Sequence, residues 1–343
     1  MNRLKNTGEM LIPSVAYGDA AGLPVEAKSV NYIRKKHGKI SALLPPIENP
    51  FYDTNLPAGT WSDDTQLTLA VANAIIRAQN FTIESQIQTH VAAYYETPEV
   101  TDRNGKVRRR GWGGSTTHSI ERLIDGASPT LSGEVNGAGN GVLMKMSPLV
   151  LWQAGQGVSD DKRYEQYDQL TTMTHDSDVA RLCTRLHGDT LIYLMNTGQD
   201  FNRDDFAQYI VASARDHEQR LGMTMATSES LQFLGTGQDL SSDDILTQFE
   251  NTTSGFKYGF YAPETLMIAY AAFLSKAPNF HESVYMAANI GGDSDSTSSI
   301  VASMVNFVSH GRYEKPHDFA VTANYEYLSG VSMQLAAVAL RHS

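Results

Sequence analysis

The chain has 343 residues, of which 41% are hydrophobic and 19% charged, so it can bury a substantial core. Its formal net charge is -11 at pH 7, and only the stretch 106–110 is locally basic. Because duplex-binding proteins normally carry a basic face, nucleic acid is not an expected partner. The single cysteine, Cys183, excludes an internal disulfide and a cysteine-based zinc site.

The N-terminal segment 1–20 contains no apolar run long enough for a signal peptide or a membrane span. Together with the single cysteine, this predicts a protein of the reducing cytoplasm that makes no membrane contact. Cys183 stands among Val179, Leu182 and Leu186 at helical spacing, which is typical of a buried, inert thiol.

Helical periodicity dominates the rest of the chain. Apolar residues at helical spacing cover 67–78 and 83–94, and Thr82 is a favourable N-cap for the second segment. Pro263 is typical of the first turn of a helix, here one that runs to about Leu274. Further helices are predicted over 119–124, 179–195 with an end near Gly198, 206–221, 243–249, 300–308 and 331–340.

Strand signals are weak by comparison. Only 321–327 shows some of the alternation that a half-buried strand requires. There is no internal repeat and no low-complexity linker. The sequence therefore predicts an all-α protein organised as a single domain over residues 1–343.

Two acidic motifs each stand directly before an apolar helix, SDDT at 62–65 and GGDSDST at 291–297. Such residues can cap a helix, because Ser and Asp are preferred N-caps and acids suit the positive end of the helix dipole. Capping needs one such side chain, however, and each motif offers more. Carboxylates that cluster repel each other unless a cation lies among them, and all-oxygen ligands suit magnesium or manganese rather than zinc. From the residues alone, caps and a metal site both remain open.

Glycine-rich segments stand at 18–26 and 137–142. The first can simply shape a turn, whereas backbone N–H groups of the second can cradle a diphosphate. The second segment does not meet the dinucleotide pattern G-x-G-x-x-G, because Val142 replaces the last glycine and no clear strand precedes it. A Rossmann dehydrogenase is therefore not expected.

In chain order, these motifs resemble the ADP-ribosylglycohydrolase family, which includes the glycohydrolase that reactivates dinitrogenase reductase. The matching segments are GDAAGLPVE at 18–26, SDDTQ at 62–66, GWGGST at 111–116, GNGVLMKMSPL at 139–149, TH at 174–175, YAPETL at 261–266 and NIGGDSDST at 289–297. Each motif is weak alone, but the ordered set is specific and covers most of the chain. The resemblance implies a compact all-helical fold with two Mg²⁺ ions, or Mn²⁺, in a cleft.

The resemblance also implies roles for individual residues. The implied metal ligands are Ser62, Asp63, Asp64, Asp293, Asp295 and Ser296, the last replacing the family's threonine and keeping its hydroxyl. The implied catalytic residues are Glu26, Asp63 and Asp64, with the acid and base roles left open. The implied substrate-binding residues are Gly139, Asn140, Gly141, His175 and Tyr261, although Tyr261 also fits an ordinary core tyrosine at a helix start. Lys145 stands where relatives commonly carry arginine, which keeps the charge and loses the planar fork.

The implied activity is hydrolysis of the glycosidic bond between ADP-ribose and a modified acceptor, with a protein arginine favoured. The expected partner is thus an ADP-ribosylated protein or a small molecule that contains ADP-ribose. Two alternatives remain: a related hydrolase of a free nucleotide or nucleoside, and a non-catalytic protein that binds ADP-ribose. The complete set of oxygen ligands counts against the second alternative, because a purely structural descendant would have no reason to keep it.

Overall fold

The computed structural model describes residues 2–46, 56–101, 105, 107–236, 241, 244–247 and 258–341, and helices dominate them. The α-helices with both ends described, numbered α1 to α14 in chain order, are Asn2–Gly22, Val30–His37, Asp63–Ala78, Ile83–Glu96, Gly114–Ile124, Ser147–Gln156, Asp160–Thr172, Asp178–Thr197, Arg203–Arg220, Ala226–Leu231, Ala262–Lys276, Phe280–Ile290, Ser294–Val308 and Tyr325–Ala339. This architecture confirms the all-α fold class.

The helices α1 and α13 pack side by side at the centre of the molecule, and α14 also packs against α1. All of α13 is buried, as is α1 from Leu11 onwards. A methyl group at Gly18 or Gly22 would overlap the backbone carbonyl of Ser298 or Ser294. Glycine therefore permits the close approach that sets the C-terminal end of α1 against the N-terminal end of α13.

Most helices predicted from apolar spacing are confirmed. Thr82 caps α4 by accepting a hydrogen bond from Ser85 N at 3.2 Å, and α8 ends at Gly198 as expected. The predicted helix over 243–249 lies partly outside the described residues, of which 244–247 are helical. The glycines at the start of 18–26 belong to the last turn of α1, and the turn itself follows as a short 3-10 helix over Leu23–Val25.

The strand predicted over 321–327 is wrong. Phe319–Val321 forms one turn of 3-10 helix, and α14 begins at Tyr325. Val321 and Tyr327 are both more than half exposed, so no strand partner buries the apolar side chains that produced the alternation. The buried residues of this region, Leu328 and Val331 among them, follow the helical period instead.

The described strands form two small pairs. β1 (Glu99–Thr101) and β2 (Val107–Arg109) are antiparallel, whereas β3 (Glu134–Val135) and β4 (His175–Asp176) are parallel. The locally basic stretch 106–110 is thus partly a strand, β2. Contacts within the β1–β2 pair hold this strand, because Arg109 pairs with Glu99 at 3.1 Å and donates to the carbonyl of Thr97.

No helix in the described part of the chain has the length and apolarity that crossing a membrane requires. Cys183 is fully buried on α8, and burial raises the pKa of its thiol. The inert character expected of this thiol follows from that environment.

Candidate active site

The first acidic motif is positioned by a buried carboxylate on α1. Asp19 accepts hydrogen bonds from the backbone N–H of Ser62 at 2.9 Å and of Thr65 at 3.0 Å, and from Thr65 Oγ1 at 2.6 Å. Three donors at the start of α3 are therefore satisfied by one side chain from another helix. Because Asp19 fixes this helix start, Asp63 and Asp64 have a defined place at the end of α1.

The second acidic motif is held by two glycines that adopt the left-handed backbone region, Gly291 with φ 76° and Gly292 with φ 68°. Their conformation lets Gly292 pair with the segment after α1, since its N–H donates to Lys28 O and its carbonyl accepts from Ala27 N. This pairing carries Glu26 to the N-terminal end of α13.

The two motifs and Glu26 meet at one cavity of roughly 260 Å³. Carboxylate oxygens of Glu26, Asp293 and Asp295 lie within 4.8 Å of one another. Asp63, Asp64 and Ser296 line the same cavity, and Ser296 Oγ donates to Asp64 Oδ2 at 3.2 Å. Side chains more than two hundred residues apart in sequence thus form one cluster, which we call the carboxylate cluster: Glu26, Asp63, Asp64, Asp293 and Asp295.

Burial and mutual repulsion set the electrostatics of this cluster. Burial is the main cause that raises the pKa of Asp63, Asp64 and Asp295 well above the usual range, and neighbouring carboxylates raise it further. Burial also raises the pKa of Asp293 to about 6, although hydrogen bonds oppose the rise. No lysine or arginine of the described chain forms an ion pair with these four aspartates.

Helix capping does not account for the second motif. Asp293 precedes α13, yet its side chain makes no capping hydrogen bond. Asp295 Oδ1 is buried without a hydrogen-bond partner in the described part of the chain. Ser62, by contrast, does cap α3, because its Oγ accepts from Asp64 N at 3.3 Å.

An orphaned buried carboxylate oxygen among other carboxylates fits a hard divalent cation, which prefers oxygen ligands. The residues placed to hold one are Glu26, Asp293 and Asp295, with Asp63, Asp64 and Ser296 around the same cavity. Ser62 lies just behind this set. Its hydroxyl donates to Asp64 Oδ2 at 3.3 Å, and the residue lines a neighbouring cavity instead.

The glycine segment and the histidine form another part of the cavity's lining. Gly139, Asn140, Gly141 and His175 all line it, and Asn140 Nδ2 donates to Asp293 Oδ2 at 2.5 Å. A methyl group at Gly141 would lie 3.1 Å from His175 Cε1, so the glycine segment packs directly on the imidazole ring. Burial lowers the pKa of His175 to about 3, which keeps the ring neutral.

Tyr261 does not line this cavity. Its backbone forms a bridge with Gly139, and its side chain is half-buried at the start of α11. The preceding residue, Phe260, supplies the aromatic wall instead and is 40% exposed.

Several lining residues were not among the predicted site residues. Phe260 carries no motif signal of its own and Met144 lies in the segment 139–149, whereas the remainder belong to the segment GWGGST at 111–116; both segments matched the family. This second group consists of Gly111, Gly113, Gly114, Ser115 and Thr116. Gly113 is the N-cap of α5 and provides no side-chain cap, so the N-terminal end of α5 at the cavity wall has no side-chain capping hydrogen bond.

A helical fold with one cavity lined by buried carboxylates and a glycine segment is the arrangement that the resemblance to the ADP-ribosylglycohydrolases implies. The family model for ADP-ribosylglycohydrolase matches residues 12–306, and the chain belongs to this family.

The chain is also similar to individual proteins. It is 23% identical over 290 residues to an uncharacterized protein of Archaeoglobus fulgidus, covering 84% of this chain and 83% of the relative. It is 24% identical over 245 residues to the ADP-ribosylarginine hydrolase Tri1 of Serratia proteamaculans, and this match spans 71% of the chain and 58% of Tri1. A chain of a solved ADP-ribosylglycohydrolase-related protein complex shares the fold, with a TM-score of 0.69, 19% identity and coverage of 99% of this chain and 100% of the other.

Proposed function

We propose that the protein is a metal-dependent hydrolase that cleaves the glycosidic bond between ADP-ribose and an arginine side chain. The observation that carries this proposal is the cavity itself, because its two walls differ in chemistry. One wall is the carboxylate cluster, and the other is the glycine segment with His175. The similarity to Tri1 supports arginine as the acceptor.

The neutral wall suits the diphosphate of ADP-ribose. Backbone N–H groups of Gly139–Gly141 and the free N-terminal end of α5 would donate to phosphate oxygens. His175 stays neutral, and its Nδ1 lies 2.9 Å from Thr174 Oγ1, so Nε2 is available for a ribose or phosphate oxygen. This binding would orient the ribose toward the carboxylates.

The carboxylate wall suits the bond that breaks. A divalent cation, when bound, would supply Lewis acidity at the ribose hydroxyls. Glu26 and Asp63 line the cavity and are placed to hold a water and accept its proton. As water oxygen bonds to the anomeric carbon, the bond from that carbon to the guanidinium nitrogen breaks, and the nitrogen takes up a proton. Free ADP-ribose and unmodified arginine are the products.

The test incubates the protein with arginine-linked and serine-linked ADP-ribosylated peptides, with magnesium and with EDTA. We expect release of ADP-ribose from the arginine-linked peptide in magnesium and little release in EDTA. Glu26→Gln should lower kcat by roughly a hundredfold or more while preserving the affinity for ADP-ribose, since general base catalysis typically contributes that much. Undiminished turnover in EDTA would overturn the metal dependence, and normal turnover of Glu26→Gln would remove Glu26 from the mechanism.

A further inference from the structure

Residues 258–262 form a short segment between the glycine segment and the second acidic motif. On one side, Tyr261 forms an antiparallel backbone bridge with Gly139. On the other side, the N–H of Asp293 donates to the carbonyl of Tyr258 at 2.7 Å. Backbone contacts therefore join the part of the cavity proposed for the diphosphate to the part proposed for the cation. We call residues 258–262 the connecting segment.

The backbone of the connecting segment is fixed by its neighbours. Tyr258 and Gly259 both adopt the left-handed region, with φ 54° and 83°. A methyl group at Gly292 would lie 2.4 Å from Tyr258 O, so the second acidic motif packs directly on this turn. From the other side, Thr265 Oγ1 on α11 donates to Gly259 O. The Gly259 carbonyl therefore has a defined position.

The side-chain amide of Asn140 binds this segment and the carboxylate cluster together. Asn140 is buried, and its Nδ2 donates to Gly259 O at 3.3 Å and to Asp293 Oδ2 at 2.5 Å. Both neighbours are acceptors, so the nitrogen of the amide faces them and the oxygen does not. Both N–H groups are thus used within the protein. The remaining polar atom, Oδ1, is an acceptor and cannot donate to a phosphate oxygen.

Asn140 thereby spans two regions of different chemistry. Its backbone stands between Gly139 and Gly141, whose N–H groups are proposed to donate to the diphosphate, while its side chain ends on Asp293, which is placed to hold the cation. Burial raises the pKa of Asp293, and the hydrogen bond from Asn140 is one of those that oppose the rise. The same contact favours the charged carboxylate that a cation requires and orients it.

We propose that Asn140 is a positioning residue that sets the distance between the bound diphosphate and the bound cation. The inference rests on the proposed function, and it assigns the Asn140 side chain a role inside the protein in place of direct contact with the phosphates. ADP-ribose must reach from the glycine segment to the carboxylates with its anomeric carbon in place for attack, and small misplacements are costly in rate. An amide bonded to both the connecting segment and Asp293 keeps that span constant.

The test compares the parent with Asn140→Ala. Calorimetric titrations give the Kd of magnesium without nucleotide and the Kd of ADP-ribose in EDTA, and kcat is measured at saturating magnesium and arginine-linked peptide. The magnesium Kd should rise about tenfold or more, because groups that orient a metal ligand typically contribute that much. The ADP-ribose Kd should rise roughly threefold or more, because the glycine segment must then be ordered on binding. The value of kcat should fall about tenfold or more.

Asn140→Ser repeats the comparison with less volume lost, since its hydroxyl is one bond too short to reach Asp293 and Gly259 together. Asn306→Ala is the matched control. Asn306 is a fully buried asparagine near the C-terminal end of α13, and its Nδ2 donates to Thr7 O at 2.9 Å. Loss of this amide should lower the melting temperature while leaving both Kd values and kcat unchanged.

The outcomes separate this inference from the proposed function. A parent that binds both ligands but cleaves no peptide overturns the proposed function, while the two Kd values still decide the role of Asn140. A parent that binds neither ligand overturns both.

The inference alone is overturned if only one affinity falls in a folded Asn140 variant. Loss of ADP-ribose affinity alone would make the side chain an ordinary phosphate contact, and loss of magnesium affinity alone would make it a support for Asp293 only. Unchanged affinities for both ligands would overturn it as well. An equal loss of both affinities in Asn306→Ala would do the same, because general destabilisation would then explain the effect.

Discussion

Lys145 is a fully buried cation behind the glycine wall of the active site. Its Nζ has no hydrogen-bond partner among the described residues. Burial lowers its pKa from the ordinary value of 10.5 to about 7, while the charge of Asp63 opposes the fall. The same ammonium helps to lower the pKa of His175 and of the buried His90. This residue therefore costs folding free energy at every pH at which the unfolded chain carries the charge.

We expect Lys145→Met to be more stable than the parent at pH 7 by on the order of 2–4 kcal/mol in EDTA. The unfolded chain gains a proton below about pH 10.5 and the folded chain only below about pH 7, so the cost grows between these values as pH falls. The difference should thus be constant below pH 7 and shrink as pH rises toward 10.

Urea unfolding between pH 6 and pH 10 measures this difference, with the exposed Lys162→Met as the control that should leave the pH dependence unchanged. A Lys145→Met protein less stable than the parent at pH 6 would show that the ammonium stabilises the fold through Asp63.

At the scale of elements, helices with clear apolar spacing and a strong N-cap could be predicted from the sequence, as α3, α4 and α8 show. The central helix α1 could not, because Pro13 stands inside it and glycines recur along it. Those residues normally indicate a break, but here the glycines serve packing against α13. Local pattern cannot reveal a requirement that another helix imposes.

The candidate site, like the helices, could be predicted only in part from the sequence. The carboxylates and the glycine segment were predicted through the family resemblance, and the structure brings them to one cavity. Their closeness depends on the packing of α1 against α13, which sequence separation does not encode. The support given by Asp19 and the wall formed by Phe260 become visible only in three dimensions, because Asp19 stands in a matching segment without any sign that it would hold the start of α3, and Phe260 stands in no matching segment.

The close packing of α1 and α13 gives a prediction for Gly22. Gly22→Ala places a methyl group on the Ser294 carbonyl, so the two helices must move apart at the carboxylate cluster. We expect a loss of about 1–3 kcal/mol in the free energy of unfolding, together with a weaker response to magnesium.

Gly330→Ala is the matched control, because Gly330 lies inside α14 with open space around it. This substitution should stabilise the protein by about 0.5–1 kcal/mol through helix propensity. Equal stabilities of Gly22→Ala and the parent in urea would contradict the close packing.

Across the whole molecule, the carboxylate cluster joins distant parts of the chain. It takes residues from the segment after α1, the start of α3 and the start of α13, in a protein with a net charge of -11. Without a cation, repulsion within the cluster opposes the packing of those elements. A bound cation would reverse that effect, so its influence should extend to the stability of the entire fold.

Asp295→Asn tests this coupling, because Asp295 has a buried oxygen without a partner in the described chain. Magnesium should raise the melting temperature of the parent, with about 2–3 kcal/mol gained at a hundredfold excess over Kd. Asp295→Asn removes one repelling charge, so in EDTA it should be at least as stable as the parent. In magnesium it should lose most of the rise.

Thermal melts of both proteins in EDTA and across a magnesium titration provide the measurement, with calcium as a comparison ion. If Asp295 were only a helix cap, Asp295→Asn would be less stable by about 0.5–2 kcal/mol whether or not magnesium is present. A parent that does not respond to magnesium, together with such a uniform loss in the variant, would therefore refute a cation site in the carboxylate cluster. A rise confined to the parent would establish that the cation links α1, α3 and α13.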